Sequence, residues 1–181
     1  MPRLQAVNPE QVTGKTKMLL DGVQATLGMT PNLIRTLANS PDVLEAYLSF
    51  NAALGGGLLS DRLRERIALA TAEANGCGYC LTAHCAIGKA VGLSENDVLD
   101  SRQGISPDSR IEAALRFTHQ VLEKRGRVSD NEISRLRSVG YGDAEIAEIV
   151  ANIVLNIFTN YFNLVAGTEI DFPEVPTLVS R

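Results

Sequence analysis

The 181-residue chain is 45% hydrophobic and 21% charged, the composition of an ordinary globular protein with enough residues to bury a core. Its 17 basic and 21 acidic residues leave a net charge of −4, so no basic surface for nucleic acid or an anionic membrane is expected. The opening Met1-Pro-Arg-Leu-Gln-Ala-Val-Asn lacks the apolar segment of a signal peptide, and no apolar run reaches about 18 residues, so no membrane span is expected.

In chain order, helical spacing of Val12, Met18, Leu19, Val23 and Leu27 predicts a first helix from Pro9 to about Leu27, stopped by Gly28. Thr30-Pro31 and Ser40-Pro41 each set a capping side chain before a proline and open helices at 32–39 and 42–54. Gly55-Gly56-Gly57 follows no strand, so it reads as a flexible joint rather than a phosphate loop. Ser60-Asp61 starts a helix over 62–74, with Leu63, Ile67, Ala70 and Ala74 inward, and Asn75-Gly76 stops it. The next helix runs from Cys77 to about Val91. Ser94 with Asp97 forms a capping box for a short helix ending near Arg102. Pro107-Asp108 opens another helix, closed by Gly126, and Ser129 with Glu132 caps one that ends at Gly140. The last helix spans about 143–166, before a proline-containing tail over 171–181. No segment alternates at period two, so the chain is expected to be an all-α bundle of about eight helices forming one domain over 1–181.

That last helix carries Asn152, Asn156, Asn160 and Asn163 among residues apolar nearly all round. Such a helix is buried, and buried amides need partners. Those partners are loops or another subunit, or else some of the amides line a cavity beside the thiols. In either case an oligomer is expected.

Three cysteines clustered in nine positions (Cys77, Cys80 and Cys85) do not form a disulfide framework and suit a reducing cytoplasm. Cys77 and Cys80 lie one helical turn apart, with His84 on the same face. A thiol in a first helical turn sits near free backbone N–H groups, which lowers its pKa and on this argument favours Cys77 as the more acidic. The residues therefore suit a redox dithiol, in which one thiolate attacks a peroxide, the other condenses to a disulfide, and an external dithiol resets the pair. The chemistry needs an acid/base group, which His84 supplies, and an orienting carboxylate, for which Glu65 and Glu73 stand eight residues apart on roughly one side of the preceding helix. Flanked by Arg62, Arg64 and Arg66, Glu65 also reads as part of a solvated face. A zinc site from Cys77, Cys80, His84 and Cys85 is disfavoured, because one continuous helix cannot surround a tetrahedral ion. Inert buried cysteines are the third reading. Cys85 is expected to be a buried apolar residue and Tyr79 a core, pocket or relay residue. His119 is expected to be surface or structural, and Arg110, Arg116, Lys124, Arg125 and Arg127 solvated.

The stretch Glu65-Arg-Ile-Ala-Leu-Ala-Thr-Ala-Glu-Ala-Asn-Gly-Cys77-Gly-Tyr-Cys80-Leu-Thr-Ala-His84 resembles the alkylhydroperoxidase D/carboxymuconolactone decarboxylase superfamily. The likeness is specific over residues 60–92, and the Asn-rich final helix and Thr168-Glu-Ile-Asp-Phe-Pro173 are similar to its peroxidase-related branch. The resemblance implies an all-α trimer or hexamer that reduces hydroperoxides without a metal or bound cofactor, drawing electrons from a lipoyl protein, a thioredoxin or a small thiol. It implies Cys80 as the peroxidatic thiol, Cys77 as the resolving one, and Glu65 and His84 as the relay, with Glu73 a second candidate carboxylate. Tyr79 stands where the family has a histidine, and tyrosine is a far weaker acid near neutral pH. Electron transfer or disulfide reduction without peroxidase activity is the alternative. Lactone decarboxylation is disfavoured, since that branch lacks the dithiol.

Overall fold

The computed structural model describes residues 1–175 and 178, so the rest of the proline-containing tail lies outside the described residues. Within them the chain forms nine α-helices: α1 Gly14–Leu27, α2 Asn32–Leu37, α3 Pro41–Gly55, α4 Asp61–Asn75, α5 Gly78–Ala90, α6 Glu95–Gln103, α7 Ser109–Lys124, α8 Asp130–Ser138 and α9 Asp143–Ala166. No strand interrupts them among the described residues.

The molecule is built around α4 and α9, which pack on each other while α5, α6 and α7 lie against α4. Helix α4 buries nine residues, including Ala68, Ala70, Thr71 and Ala72. Small side chains on that face let neighbouring backbones approach closely, and each large residue buried with them, such as Ile67 or Leu69, contributes about 1.5–3 kcal/mol. One apolar cluster joins α4, α7, α8 and α9 through Ile67, Phe117, Leu136 and Ile149. A second surrounds the thiols with Leu69, Leu81, Leu93 and Val98, and a third binds α1 to α2 and α3.

Helix α9 is long and apolar enough by composition to cross a membrane, with half of that window buried in the protein. Its buried stripe holds the four asparagines together with Ile149 and Ile153. Its outward stripe is apolar, with Val150, Val154, Phe158, Tyr161 and Val165 all exposed.

Most helix boundaries agree with the capping signals. Ser40, Ser60 and Ser94 accept the expected backbone N–H groups and the Ser94 box forms, while at Ser129 the Glu132 carboxylate accepts from both the backbone N–H and the hydroxyl. Two details differ. Helix α1 begins at Gly14 because residues 9–11 form a turn. Thr30 does not cap α2, since its hydroxyl donates to Gln24 Oε1 at 3.0 Å. Instead Asp171 Oδ2 accepts from Asn32 N at 2.6 Å, so the tail caps that helix.

The glycine triplet, expected to be flexible, is pinned. Glu148 on α9 accepts from Leu58 N at 2.8 Å and Leu59 N at 3.1 Å, and a Cβ at Gly57 would stand 2.5 Å from that carboxylate. Arg66, expected on a solvated face, is buried against Asp97 and Ser101 of α6.

Candidate active site

Helix α4 ends where Gly76 adopts a left-handed conformation (φ 63°) that reverses the chain into Cys77. Cys77 is the N-cap of α5 rather than its first residue, and its sulfur accepts from Cys80 N at 3.3 Å. One turn on, Cys80 lies at the foot of a cavity of about 140 Å³ between α2, α3, α4, α5 and α9. Glu65, Tyr79 and His84 reach the same cavity, while Cys77 sits behind Cys80, 1% exposed and outside the lining. The three cysteines are free thiols.

His84 Nδ1 is 2.8 Å from Glu65 Oε2, both side chains being about four-fifths buried. Burial opposes a charge on His84, but the Glu65 carboxylate outweighs it and holds the imidazole pKa above the ordinary histidine value. That shift favours the protonated imidazole, whose charge in turn favours a thiolate at Cys80. The Cys80 thiol is brought down to about 7, chiefly by the hydrogen bond from Cys77, against burial, with help from Asn163, His84 and Asn160. The same hydrogen bond, followed by burial, holds Cys77 far above the ordinary thiol range. This reverses the order expected from helix position. The helix terminus acts on both sulfurs, and the one that receives S–H, amide and imidazolium together keeps the negative charge.

Tyr79 is 5% exposed, and its ring stacks edge-on against Phe172 with centroids 5.9 Å apart. Its hydroxyl accepts from Leu33 N at 3.0 Å, so it anchors the start of α2 while one flank lines the cavity. Burial pushes its phenol well above the ordinary tyrosine value. Glu73 is not at the cavity. It is buried in an ion pair with Arg102 Nε at 2.8 Å and accepts from Leu178 N at 2.6 Å, which corrects its candidacy as the orienting carboxylate. Cys85 is buried away from the cavity, and burial raises its pKa. His119 is half-buried against Gly104 and lies outside the lining of the cavity.

Two features escaped the sequence reading. Tyr47 on α3 lines the cavity, its hydroxyl pushed up to about 12 by burial and by the negative charges of Cys80 and Glu65. Nothing in its local sequence marks it. Asn163 Nδ2 donates to Cys80 Sγ at 3.2 Å, and Asn152 and Asn156 line the cavity, which realises one of the two alternatives for the asparagine stripe. The remaining walls are mostly apolar, from Leu33, Ile34, Ala68, Ile87 and Leu155, with Asn51 and Arg64 among the polar ones.

Residues 41–122 match the model of the carboxymuconolactone decarboxylase family. No curated protein matches the chain. Among solved structures, an uncharacterized peroxidase-related protein with an alkylhydroperoxidase AhpD core, from Ralstonia eutropha JMP134, is 26% identical and superposes with a TM-score of 0.83 over 94% of this chain and 92% of its own. An uncharacterized peroxidase-related protein from Silicibacter sp. TM1040, also 26% identical, gives a TM-score of 0.78 over 91% of each chain. The debrominase Bmp8, solved with 2,3,4-tribromopyrrole, shares the fold at 20% identity, with a TM-score of 0.79 over 93% of this chain and 91% of its own. With the all-α architecture and the position of the dithiol, these likenesses support the alkylhydroperoxidase D/carboxymuconolactone decarboxylase superfamily.

Proposed function

We propose that the protein is a dithiol peroxidase that reduces hydroperoxides through Cys80 and Cys77. The observation that carries this reading is the meeting of an acidified Cys80 and the Glu65–His84 pair at one cavity, with a second thiol directly behind. The Cys80 thiolate attacks the terminal oxygen of R–O–OH, giving Cys80–S–OH and RO⁻. His84 donates its proton to the alkoxide, which leaves as ROH, Glu65 keeps the imidazole oriented, and His84 regains a proton from the Cys80 thiol once the disulfide has been reduced. Cys77–SH then displaces water from the sulfenic acid and forms the Cys77–Cys80 disulfide. An external dithiol (a lipoyl protein, a thioredoxin or a small thiol) reduces that bond and is itself oxidised to a disulfide.

The apolar walls suit an organic hydroperoxide, whose alkyl group they would shelter from water. No step calls on a metal or an organic cofactor. Buried free thiols support a reducing compartment such as the cytoplasm, and the exposed apolar stripe of α9 supports a homo-oligomer, trimeric or hexameric.

The test is hydroperoxide consumption with dihydrolipoamide as donor, comparing the native protein with Cys80→Ser and Cys77→Ser. The proposal expects catalytic turnover that each substitution abolishes. A native protein whose dithiol cycles with the donor but consumes no hydroperoxide would instead be an electron carrier or disulfide reductase.

A further inference from the structure

The four buried asparagines of α9 are not equivalent. Asn152 Nδ2 donates to Glu148 O and Asn156 Nδ2 to Asn152 O, each at 2.8 Å and each one turn back on the same helix. Those bonds occupy the Nδ2 of each, both side chains line the cavity, and Asn156 also helps to hold the His84 pKa up. Asn163 departs from the pattern, because its Nδ2 crosses to Cys80 Sγ at 3.2 Å while its buried Oδ1 has no hydrogen-bond partner. Asn160, 0% exposed, accepts from Asn75 Nδ2 at 2.9 Å on its Oδ1. That contact fixes the orientation of the Asn160 amide and leaves its buried Nδ2 without a partner, while the same side chain helps to lower the Cys80 pKa.

Buried amide atoms without partners are costly and rare. A neutral thiol is a weak acceptor and rewards such donors little, whereas a thiolate is an anion that accepts several N–H groups strongly. We infer that Asn160 and Asn163, with Asn75 orienting the former, form a thiolate-binding pair that selects Cys80 rather than Cys77 as the nucleophile of the dithiol. The inference deepens the dithiol peroxidase reading and rests on it only for the use to which the thiolate is put.

The titratable groups around Cys80 come from the other helices: Tyr47 from α3, Glu65 from α4, and Cys77, Tyr79 and His84 from α5. Helix α9 presents no ionisable side chain to the sulfur. Its amides therefore favour the anion at every pH and cannot compete for the proton, which a lysine or histidine in their place would do. Both asparagines lie outside residues 41–122, the span matched by the family model.

The test reads the thiol directly and needs neither peroxide nor donor. Iodoacetamide labelling of Cys80 and Cys77 is followed by peptide mass spectrometry from pH 5 to 9 in the native protein, Asn163→Leu and Asn75→Ala. The native protein is expected to label at Cys80 before Cys77, with a midpoint near 7. In Asn163→Leu the midpoint is expected to rise by about one pH unit, so that labelling at pH 6 slows about tenfold. Asn75→Ala, made at a half-buried position, is expected to shift the midpoint in the same direction by less, and it decides the matter if Asn163→Leu does not fold. An unchanged Cys80 profile in the folded variants would overturn the inference even if the native protein is an active peroxidase. Conversely, a shifted profile in a protein that consumes no peroxide would overturn the peroxidase reading and leave the thiolate pair standing.

Discussion

Glu65 and Glu73 lie on the same helix and do opposite work. Eight residues of α-helix separate them by about 12 Å along the axis and about 80° around it. That rotation is enough to send one into the cavity between α3, α5 and α9 and the other toward α6 and the tail. Glu65 remains partly open and meets a histidine, so its charge raises the pKa of a neighbour at the cavity. Glu73 is closed off with Arg102, so its charge is spent on holding α4 to α6. A buried ion pair and a catalytic dyad look alike in sequence, and only the partner and the access tell them apart.

This contrast can be broken by substituting each carboxylate for its amide. Glu65→Gln removes the charge that holds the His84 pKa up, so the imidazole loses its proton near neutral pH and can no longer serve as the acid. Peroxide turnover is expected to fall by about 10²- to 10⁴-fold, with stability changed by no more than about 1 kcal/mol. Steady-state kinetics beside a thermal melt measure both. Glu73→Gln is expected to do the reverse. Taking the carboxylate out of a buried pair costs about 3–5 kcal/mol, a loss of roughly 6 to 20 °C in melting temperature for a chain of this size. Protein that remains folded is expected to keep its Cys80 labelling profile. If Glu73→Gln abolished turnover in fully folded protein, the division between the two ends of α4 would fail.

The same contrast is sharpened at Tyr79, which lines the cavity yet bonds like a structural residue. Tyr79→Phe deletes the acceptor for Leu33 N and is expected to cost about 1 kcal/mol, read as a small shift in a denaturant melt. Turnover is expected to change by less than about twofold, because a phenol held above its ordinary pKa is a poor proton relay at neutral pH. A hundredfold loss would return Tyr79 to the relay position that the family histidine holds.

The helices were legible in the sequence because their ends are written locally. Ser40, Ser60 and Ser94 cap, Gly28 and Gly76 terminate, and the apolar spacing between them gives the buried faces. The dithiol and His84 were legible for the same reason, since all three belong to one short helix. What needed the structure was every partner supplied from elsewhere. Asp171 caps α2 from 139 residues away, and Glu148 pins the glycine triplet from 90. Asn163 reaches Cys80 across 83 residues. The periodic asparagines announced that amides would be buried, but no local pattern says which amide meets a sulfur and which merely bonds its own helix. Arg66 shows the converse error: a charge among charges reads as solvated until α6 closes over it.

The most direct test of the account is to expose Cys77→Ser to one equivalent of an organic hydroperoxide and map the product by mass spectrometry with a sulfenic-acid trap. With the resolving thiol gone, the account expects one oxygen added, one alcohol released per protein, and the trapped sulfenic acid on Cys80. Oxidation confined to Cys85, or no reaction at Cys80 while the native dithiol still exchanges with a disulfide, would contradict it.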